Sequence, residues 1–179
     1  MLRLIALLLL LPTLALANDW DALDQPGAVA IMRHALAPGT GDPGDFYVTD
    51  CATQRNLDDR GRAQARAIGE ALRARGISFD RVLTSQWCRC RETADLLALG
   101  PVSEEPALNS FFADRSTRAA QTDAAREIIA GLDSRAMLVT HQVNITALTG
   151  NFPRSGEVLI VRAAGDGTIE TLGRILIAP

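Results

Sequence analysis

Two histidines in this sequence occupy positions suited to phosphoryl transfer. His34 follows the apolar run 27–33 and His141 follows the apolar run 136–140, so each ends a predicted buried strand. A neutral imidazole is a good nucleophile near neutral pH, because its ordinary pKa is about 6.5. Arg33 precedes His34 directly, and arginine offers a planar fork that matches phosphoryl oxygens. Since the chain has only these two histidines, their matching placement favours function over a structural role.

The elements that must position these residues alternate between strands and helices. Strands are predicted at 27–33, 81–84 and 136–140, and a terminal hairpin at 157–162 and 168–177. Helices are predicted from a cap at Asp58 or Asp59 to about Arg75, over 88–99, over 116–132 and from Val143, with a loop between Pro101 and Pro106. The pattern predicts an α/β fold, a three-layer α/β/α sandwich with a mostly parallel central sheet. Ligands bind such sheets beyond the carboxyl ends of the strands, which is where residues 33–34, 85–89 and 141 lie.

The first 17 residues are typical of a secretory signal peptide. Arg3 gives a positive start, residues 4–16 are almost wholly apolar, and Ala15-Leu16-Ala17 is a small-x-small cleavage site. An uncleaved membrane anchor is the alternative, but a span needs about 20 apolar residues. We therefore expect a periplasmic or secreted protein, with no stable membrane insertion and with residues 18–179 as a single domain.

Composition excludes several functions. The formal charge is −3, or −4 without Arg3, and there is no basic stripe, so nucleic acid is not an expected partner. All 18 basic residues are arginine, which excludes a lysine nucleophile. With two histidines and no C-x-x-C pair, neither a metal nor another cofactor is expected. Three cysteines in an oxidising compartment favour one disulfide, from Cys51 to either Cys88 or Cys90.

Four segments together resemble the histidine phosphatase (phosphoglycerate-mutase-like) superfamily, in its order and spacing over residues 27 to about 150. Arg33-His34-Ala35 resembles the Arg-His-Gly signature, and 56–65 resembles the Leu-x-x-x-Gly-x-x-Gln-Ala helix start. Residues 85–94 resemble the Ser-x-x-x-Arg-x-x-x-Thr-Ala segment, and 139–141 the strand before the second histidine. The resemblance implies a phosphoglycerate-mutase-like fold and a small exported phosphatase.

The resemblance also implies roles for particular residues. His34 is expected to attack phosphorus and become phosphohistidine, while Arg33, Arg89 and His141 surround the phosphoryl oxygens. Ser85 and Thr93 are expected to be structural, as a helix cap and a packing residue. Trp87 is expected to pack with one polar contact. Several neighbours are expected to shape the pocket: Cys51, Arg55, Asn56, Gln142 and Asn144. For Asn144, a cap of the following helix is the alternative.

The sequence departs from the family pattern in three places. Ala35 replaces a glycine, and the usual glutamate two residues further on is absent. More seriously, the family's Leu-x-Glu proton donor corresponds to Leu108-Asn109-Ser110, and serine is a poor acid at neutral pH. Either Asp114 in the same loop donates the proton, or the substrate has a leaving group that needs none, or the protein binds phosphate without turning it over.

The sequence thus predicts an exported, metal-independent phosphatase acting on a small phosphomonoester, phosphoramidate or acyl phosphate through phosphohistidine on His34. By analogy with exported relatives, the substrate derives from an envelope glycan or lipid. A catalytically silent phosphate-binding module of the envelope is the alternative. A thiol-redox protein that uses Cys88 and Cys90 is a third reading.

Overall fold

A six-stranded mixed sheet forms the centre of the computed structural model, which describes residues 18–177. The strands are β1 (Val29–Arg33), β2 (Arg81–Thr84), β3 (Val102–Glu104), β4 (Ala136–Thr140), β5 (Val158–Ala163) and β6 (Ile169–Ile175). Their order across the sheet is β3-β2-β4-β1-β5-β6. The first four in this order run parallel, and β5 and β6 are antiparallel to their neighbours. The predicted mostly parallel sheet and the terminal hairpin are therefore confirmed.

Four helices cover the two faces of the sheet: α1 (Asp59–Arg73), α2 (Cys88–Leu97), α3 (Arg118–Gly131) and α4 (Gln142–Thr149). Helices α1 and α2 pack with one set of alternating strand residues, which includes Met32 and Met137. Helices α3 and α4 pack with the opposite set, which includes Ile31 and Leu138. Because side chains alternate along a strand, strands buried on both faces are apolar over most of their length, as β4 is at residues 136–139. The result is the predicted three-layer sandwich.

Strand register brings the carboxyl ends of the parallel strands to one edge. Arg33 pairs with Thr140 across β1 and β4, and Thr84 pairs with Val139 across β2 and β4. His34 extends this register, since its backbone N–H donates to the carbonyl of Thr140 at 3.0 Å. The residues that follow these three strands therefore start from one edge of the sheet.

The ends of several helices and one additional strand differ in detail from the predicted elements. Asp58 is the cap of α1, because its carboxylate accepts from the N–H of Gly61 at 2.8 Å. Strand β3 lies where a loop was predicted; its three residues are all exposed, so no burial pattern marked it. Helix α2 ends at Leu97 rather than Leu99, and a 3-10 turn over 115–117 precedes α3.

The N-terminal segment 1–17, predicted as a signal peptide, lies outside the described residues. None of the helices within 18–177 is long and apolar enough to cross a membrane.

Candidate active site

The two histidines lie side by side at the carboxyl edge of the sheet. The ring centroids of His34 and His141 are 5.6 Å apart, with an angle of 68° between the ring planes. Both are almost fully buried, at 2% and 4% exposure. Burial lowers the pKa of each imidazole well below its usual value, and the positive charge of Arg89 lowers it further. Both rings are therefore neutral at physiological pH.

One of the two ring nitrogens of His34, Nδ1, is hydrogen-bonded. Its Nδ1 lies 2.7 Å from the carbonyl oxygen of Ala35, so Nδ1 carries the proton and donates it. That leaves a lone pair on Nε2, which has no hydrogen-bond partner within residues 18–177. A neutral imidazole with a free Nε2 has the form that a nucleophile requires.

The turn after His34 is held by two buried side chains. The hydroxyl of Thr93 accepts from the N–H of Ala35 at 3.1 Å, and Oε1 of Gln64 accepts from the N–H of Leu36 at 3.0 Å. Helix α1 approaches this turn so closely that a Cβ at Gly61 would collide with the carbonyl of Leu36. These contacts fix the backbone carbonyl that in turn fixes the His34 ring. Thr93 has the structural role predicted for it.

His141 has the opposite tautomer. Its Nε2 lies 2.8 Å from Oγ of Ser85, and its Nδ1 accepts from Nη2 of Arg89 at 3.4 Å. Arginine is always a donor, so Nδ1 is the acceptor and the proton is on Nε2. Ser85 was predicted to cap α2, and this was wrong: Trp87 is the N-cap residue, without a side-chain cap bond. The hydroxyl of Ser85 instead supports His141.

Three arginines surround the histidines. Arg89 is 2% exposed, whereas Arg33 and Arg55 are half-buried. Arg33 donates to the carbonyl of Pro153 at 3.2 Å, and Nε of Arg55 donates to the carbonyl of Gly41 at 2.8 Å. Burial, together with the charge of Arg89, lowers the pKa of Arg33 and brings that of Arg55 to about 10. Arg33 and Arg55 remain charged near neutral pH, and with the buried guanidinium of Arg89 beside them the site is strongly cationic.

One carboxylate within the site was missed by the sequence analysis. Asp42 lies in the Gly/Pro loop 37–45 and forms a bidentate ion pair with Arg89 at 2.7 and 3.1 Å. Burial alone would raise the pKa of Asp42, but the hydrogen bonds and charge of Arg89 outweigh it and lower the pKa. Nothing in the local sequence pattern marks Asp42, since the contact spans 47 residues of chain.

The loop that carries Asp42 and Arg55 is tied to α2 by a disulfide. Cys51 pairs with Cys88, which directly precedes Arg89, and their Cα atoms are 5.6 Å apart. Cys90 is free and buried, and burial raises its pKa to about 12. The bridge falls within the predicted alternatives. It also leaves Cys88 and Cys90 unpaired with one another, which removes the basis for a thiol-redox couple between them.

A cavity of about 540 Å³ opens from these groups. Its inner end is cationic and polar, lined by Arg33, His34, Asp42, Arg55, Arg89 and His141. Its outer walls carry aromatic and apolar side chains with two further arginines: Phe111, Phe112, Arg115, Arg118, Val143, Ala147 and Phe152. No cluster of three histidine, cysteine, aspartate or glutamate side chains that could hold a metal occurs within 18–177.

Asp114, the predicted proton donor, points elsewhere. Its carboxylate caps the 3-10 turn before α3, where it accepts from the N–H of Ser116 at 3.0 Å and from the Ser116 hydroxyl at 2.6 Å. The group is exposed, and these bonds lower its pKa. It is not among the residues that line the described cavity, whereas Ser110 is. The geometry therefore does not bring Asp114 together with His34.

The other predicted neighbours are distributed around the site. Gln142 lines the cavity, and Trp87 packs with one polar contact, its Nε1 donating to Asp42 at 3.0 Å. Asn144 lies in the first turn of α4 and donates to the carbonyl of Asn109 at 2.9 Å. Asn56 donates to the carbonyl of Cys51 at 2.6 Å and so supports the loop rather than the cavity.

Comparison with known families agrees with this geometry. The model of the histidine phosphatase superfamily, branch 1, matches residues 30–116. This range contains Arg33 and His34 and the two segments 56–65 and 85–94, the second of which carries Arg89. The chain belongs to the histidine phosphatase superfamily. The resemblance noted in the sequence is thus confirmed, and its phosphoglycerate-mutase-like fold with it.

Two relatives of this histidine phosphatase match it at limited identity or over part of its length. A mitochondrial serine/threonine-protein phosphatase, Pgam5 of Drosophila virilis, is 36% identical over 69 residues, 38% of this chain and 21% of that protein. The chain thus matches about a fifth of the length of that relative. An uncharacterised protein of Picosynechococcus sp. is 27% identical over 136 residues, 75% of this chain and 79% of its own.

Solved structures share the fold at low identity. SixA from Agrobacterium tumefaciens has a TM-score of 0.58 at 19% identity, over 84% of this chain and 97% of its own. A phosphoglycerate mutase from Thermus thermophilus has a TM-score of 0.59 at 18% identity, over 84% of this chain and 99% of its own. The protein histidine phosphatase SixA in complex with tungstate has a TM-score of 0.53 at 19% identity, over 83% of this chain and 96% of its own.

Proposed function

We propose that this chain is an exported, metal-independent phosphatase that forms a covalent phosphohistidine on His34. One observation carries the proposal: Nδ1 of His34 donates to the carbonyl of Ala35, and Nε2 is left with its lone pair in a cavity lined by three guanidinium groups. Arginine and a neutral imidazole together supply the two requirements of phosphoryl transfer, charge balance and a nucleophile.

The reaction proceeds in two balanced steps. Nε2 of His34 attacks phosphorus, an N–P bond forms, and the bond to the leaving group breaks with its electron pair on the leaving atom. A water then attacks the phosphohistidine, the N–P bond breaks, and inorganic phosphate and neutral His34 are regenerated. Arg33, Arg55 and Arg89 stabilise the charge on the equatorial phosphoryl oxygens, which is the main contribution of a protein to such a transition state.

The cavity favours substrates whose leaving group needs no proton. Asp42 is the only carboxylate among the described lining residues, and Arg89 holds it ionised. Ser110 lines the cavity where the family has its acidic group, and a hydroxyl is too weak an acid to replace it. A phosphoramidate or acyl phosphate therefore fits better than an alkyl phosphomonoester. The protein histidine phosphatase activity in the name of SixA supports the same class.

The outer half of the cavity supports a substrate with an apolar and negatively charged body. Phe112 and Phe152 are exposed at 44% and 70%, and they line the cavity together with Arg115 and Arg118. Neither of these two arginines has a carboxylate within 4.0 Å in the described part of the chain. An activated phosphate on an apolar, acidic body has both features. An envelope lipid or glycan derivative fits only where its phosphate is of this activated kind and not an alkyl phosphomonoester.

Two features support export. Residues 1–17 have the composition of a signal peptide. The disulfide between Cys51 and Cys88 is of a kind that persists mainly in oxidising compartments. Sequencing the N-terminus of protein recovered from a periplasmic fraction tests this, and a mature chain that begins at Asn18 is the expected result.

Turnover of acetyl phosphate and p-nitrophenyl phosphate with EDTA present, by the wild type and the His34→Gln variant, tests the proposed reaction. Chelator-resistant turnover that the variant loses, with an acid-labile phosphoenzyme in the wild type alone, supports it. Turnover that survives in His34→Gln excludes it. Binding of inorganic phosphate without turnover of either substrate would establish the silent binding module instead.

A further inference from the structure

The Asp42 carboxylate is held by four donors at once. Oδ1 accepts from Nη1 of Arg89 at 2.7 Å and from the N–H of Arg55 at 3.1 Å. Oδ2 accepts from Nη2 of Arg89 at 3.1 Å and from Nε1 of Trp87 at 3.0 Å. A carboxylate has roughly four lone-pair directions, so Asp42 is saturated. The ion pair is also buried, with side-chain exposures of 9% for Asp42 and 3% for Arg89.

The guanidinium of Arg89 is committed in the same way. Besides Asp42, Nη1 donates to the carbonyl of Arg55 at 3.2 Å and Nη2 donates to Nδ1 of His141 at 3.4 Å. The two Nη atoms carry four hydrogens, and each hydrogen has a partner. Of the three guanidinium nitrogens of Arg89, Nε alone is buried without a partner in the described residues. The orientation of this guanidinium is therefore set by Asp42 and is not free to follow a ligand.

The orientation of Arg89 passes to His141. Because Nη2 donates to Nδ1, the His141 proton must be on Nε2, where it meets Oγ of Ser85 at 2.8 Å. Asp42 reaches His141 in this way without touching it. The carboxylate also reduces the charge of the inner cavity from three arginines to a net of two positive charges, which matches a phosphoryl dianion.

We propose that Asp42 is a positioning residue of the phosphatase reaction, which fixes the guanidinium of Arg89 and through it the tautomer of His141. The carboxylate also lowers the net positive charge of the inner cavity to the two charges that balance a phosphoryl dianion. The inference rests on the proposed function for its kinetic part only. Bound phosphate then contacts Arg33, Arg55 and Nε of Arg89, while the Asp42–Arg89 pair stays closed. Breaking a buried pair is strongly unfavourable, which opposes its displacement by the ligand.

The Asp42→Asn variant tests the proposal, with Asp45→Asn as the matched control, since Asp45 is an exposed carboxylate of the same loop. Three readouts are taken: the ¹⁵N imidazole spectrum, the Kd of inorganic phosphate, and the kcat and KM for acetyl phosphate. The spectrum contains only His34 and His141, because the chain has two histidines, and a His34→Gln sample assigns them.

In Asp42→Asn, the His141 signal should change from a pure Nε2–H form to a mixture, with the His34 signal unchanged. Phosphate should bind on the order of tenfold more tightly, because one negative charge near the site is gone. The kcat should nevertheless fall by about 30-fold or more, because the donors are misplaced and product leaves slowly. Asp45→Asn should match the wild type in all three.

An unchanged His141 signal, or weaker phosphate binding in a folded variant, would overturn the positioning role. A rise in kcat/KM would show instead that Asp42 competes with substrate for Arg89. Spectrum and phosphate affinity need no turnover, so they stand even if the wild type proves inactive. Should Asp42→Asn fail to fold, the Trp87→Phe variant removes one of the donors to Asp42 and keeps an aromatic side chain. A smaller change in the His141 signal is then expected, and an unchanged signal would contradict the proposal.

Discussion

His34 and His141, whose ring centroids lie 5.6 Å apart, carry their protons on opposite nitrogens. His34 donates from Nδ1 to its neighbour's carbonyl, and His141 donates from Nε2 to a serine hydroxyl. The same residue type thus supplies a free lone pair at one position and a fully bonded ring at the other. Backbone turn geometry sets the first tautomer, and the Asp42–Arg89 pair sets the second.

The neutral, buried state of both rings predicts a pH-dependent stability. Each folded-state pKa is lowered, so between the ordinary value of about 6.5 and the folded value only the unfolded chain binds the proton. Stability is therefore fully present above about pH 7 and falls as the pH decreases. The expected slope is up to about 1.4 kcal/mol per pH unit for each histidine.

Urea unfolding at about pH 7.5 and about pH 5.5 measures this slope in the wild type and in His141→Asn. The variant should lose about half of the pH dependence, because one titrating group has been removed. A slope that is the same in both proteins would mean that folding does not lower the pKa of His141.

The catalytic elements were predictable where the chemistry follows regular strands. His34 and His141 end apolar runs, and parallel strands place such ends at one edge, so the two could be brought together from sequence alone. Asp42 was not predictable, because loop 37–45 has no periodicity and its position depends on contacts with Trp87 and Arg89 far along the chain. Strand β3 was missed for a related reason, since exposed residues leave no burial pattern.

Arg55, which the sequence placed near the pocket and which lines the cavity, gives a second prediction. Its Nε and Nη1 bond the carbonyls of Gly41 and Ala37, so its fork is shaped by the loop. Arg55→Lys should weaken phosphate binding about tenfold, because lysine cannot make both loop contacts and still face the ligand. Isothermal titration with inorganic phosphate measures the loss.

Arg60→Lys is the control for this change, since Arg60 is exposed on the first turn of α1. Equal phosphate affinities in the two variants would show that Arg55 contributes only a charge. A loss confined to Arg55→Lys would place its guanidinium on the ligand.

The disulfide between Cys51 and Cys88 gives a third prediction. It closes a segment of 37 residues, and replacing both cysteines by serine should lower the free energy of unfolding by about 3 kcal/mol. Urea denaturation of the non-reduced proteins measures the difference. Thiol titration of the unfolded wild type should find Cys90 alone, since it is the one free cysteine in the described residues. Two or three reactive thiols without reductant would contradict the pairing.

Asp114 gives a fourth prediction, because the sequence made it the candidate proton donor. Its bonds to Ser116 hold it at the start of the turn before α3, away from the cavity lining. Asp114→Asn should therefore change kcat/KM for acetyl phosphate and p-nitrophenyl phosphate by less than about threefold. A loss of p-nitrophenyl phosphate turnover alone would restore Asp114 as the acid, brought in by a loop movement.

The position that lacks the acid gives the last prediction. Ser110 lines the cavity, so Ser110→Glu introduces a carboxyl group where the family has one. Hydrolysis of an alkyl phosphomonoester requires protonation of a strongly basic leaving oxygen, and a general acid contributes about 10²-fold or more. The variant should therefore gain activity towards glycerol phosphate and little towards acetyl phosphate, whose leaving group needs no proton. The ratio of the two kcat/KM values measures the gain independently of protein stability. If that ratio does not change, the preference for activated leaving groups has a cause other than the missing carboxyl group, and Ser110 does not determine the substrate class.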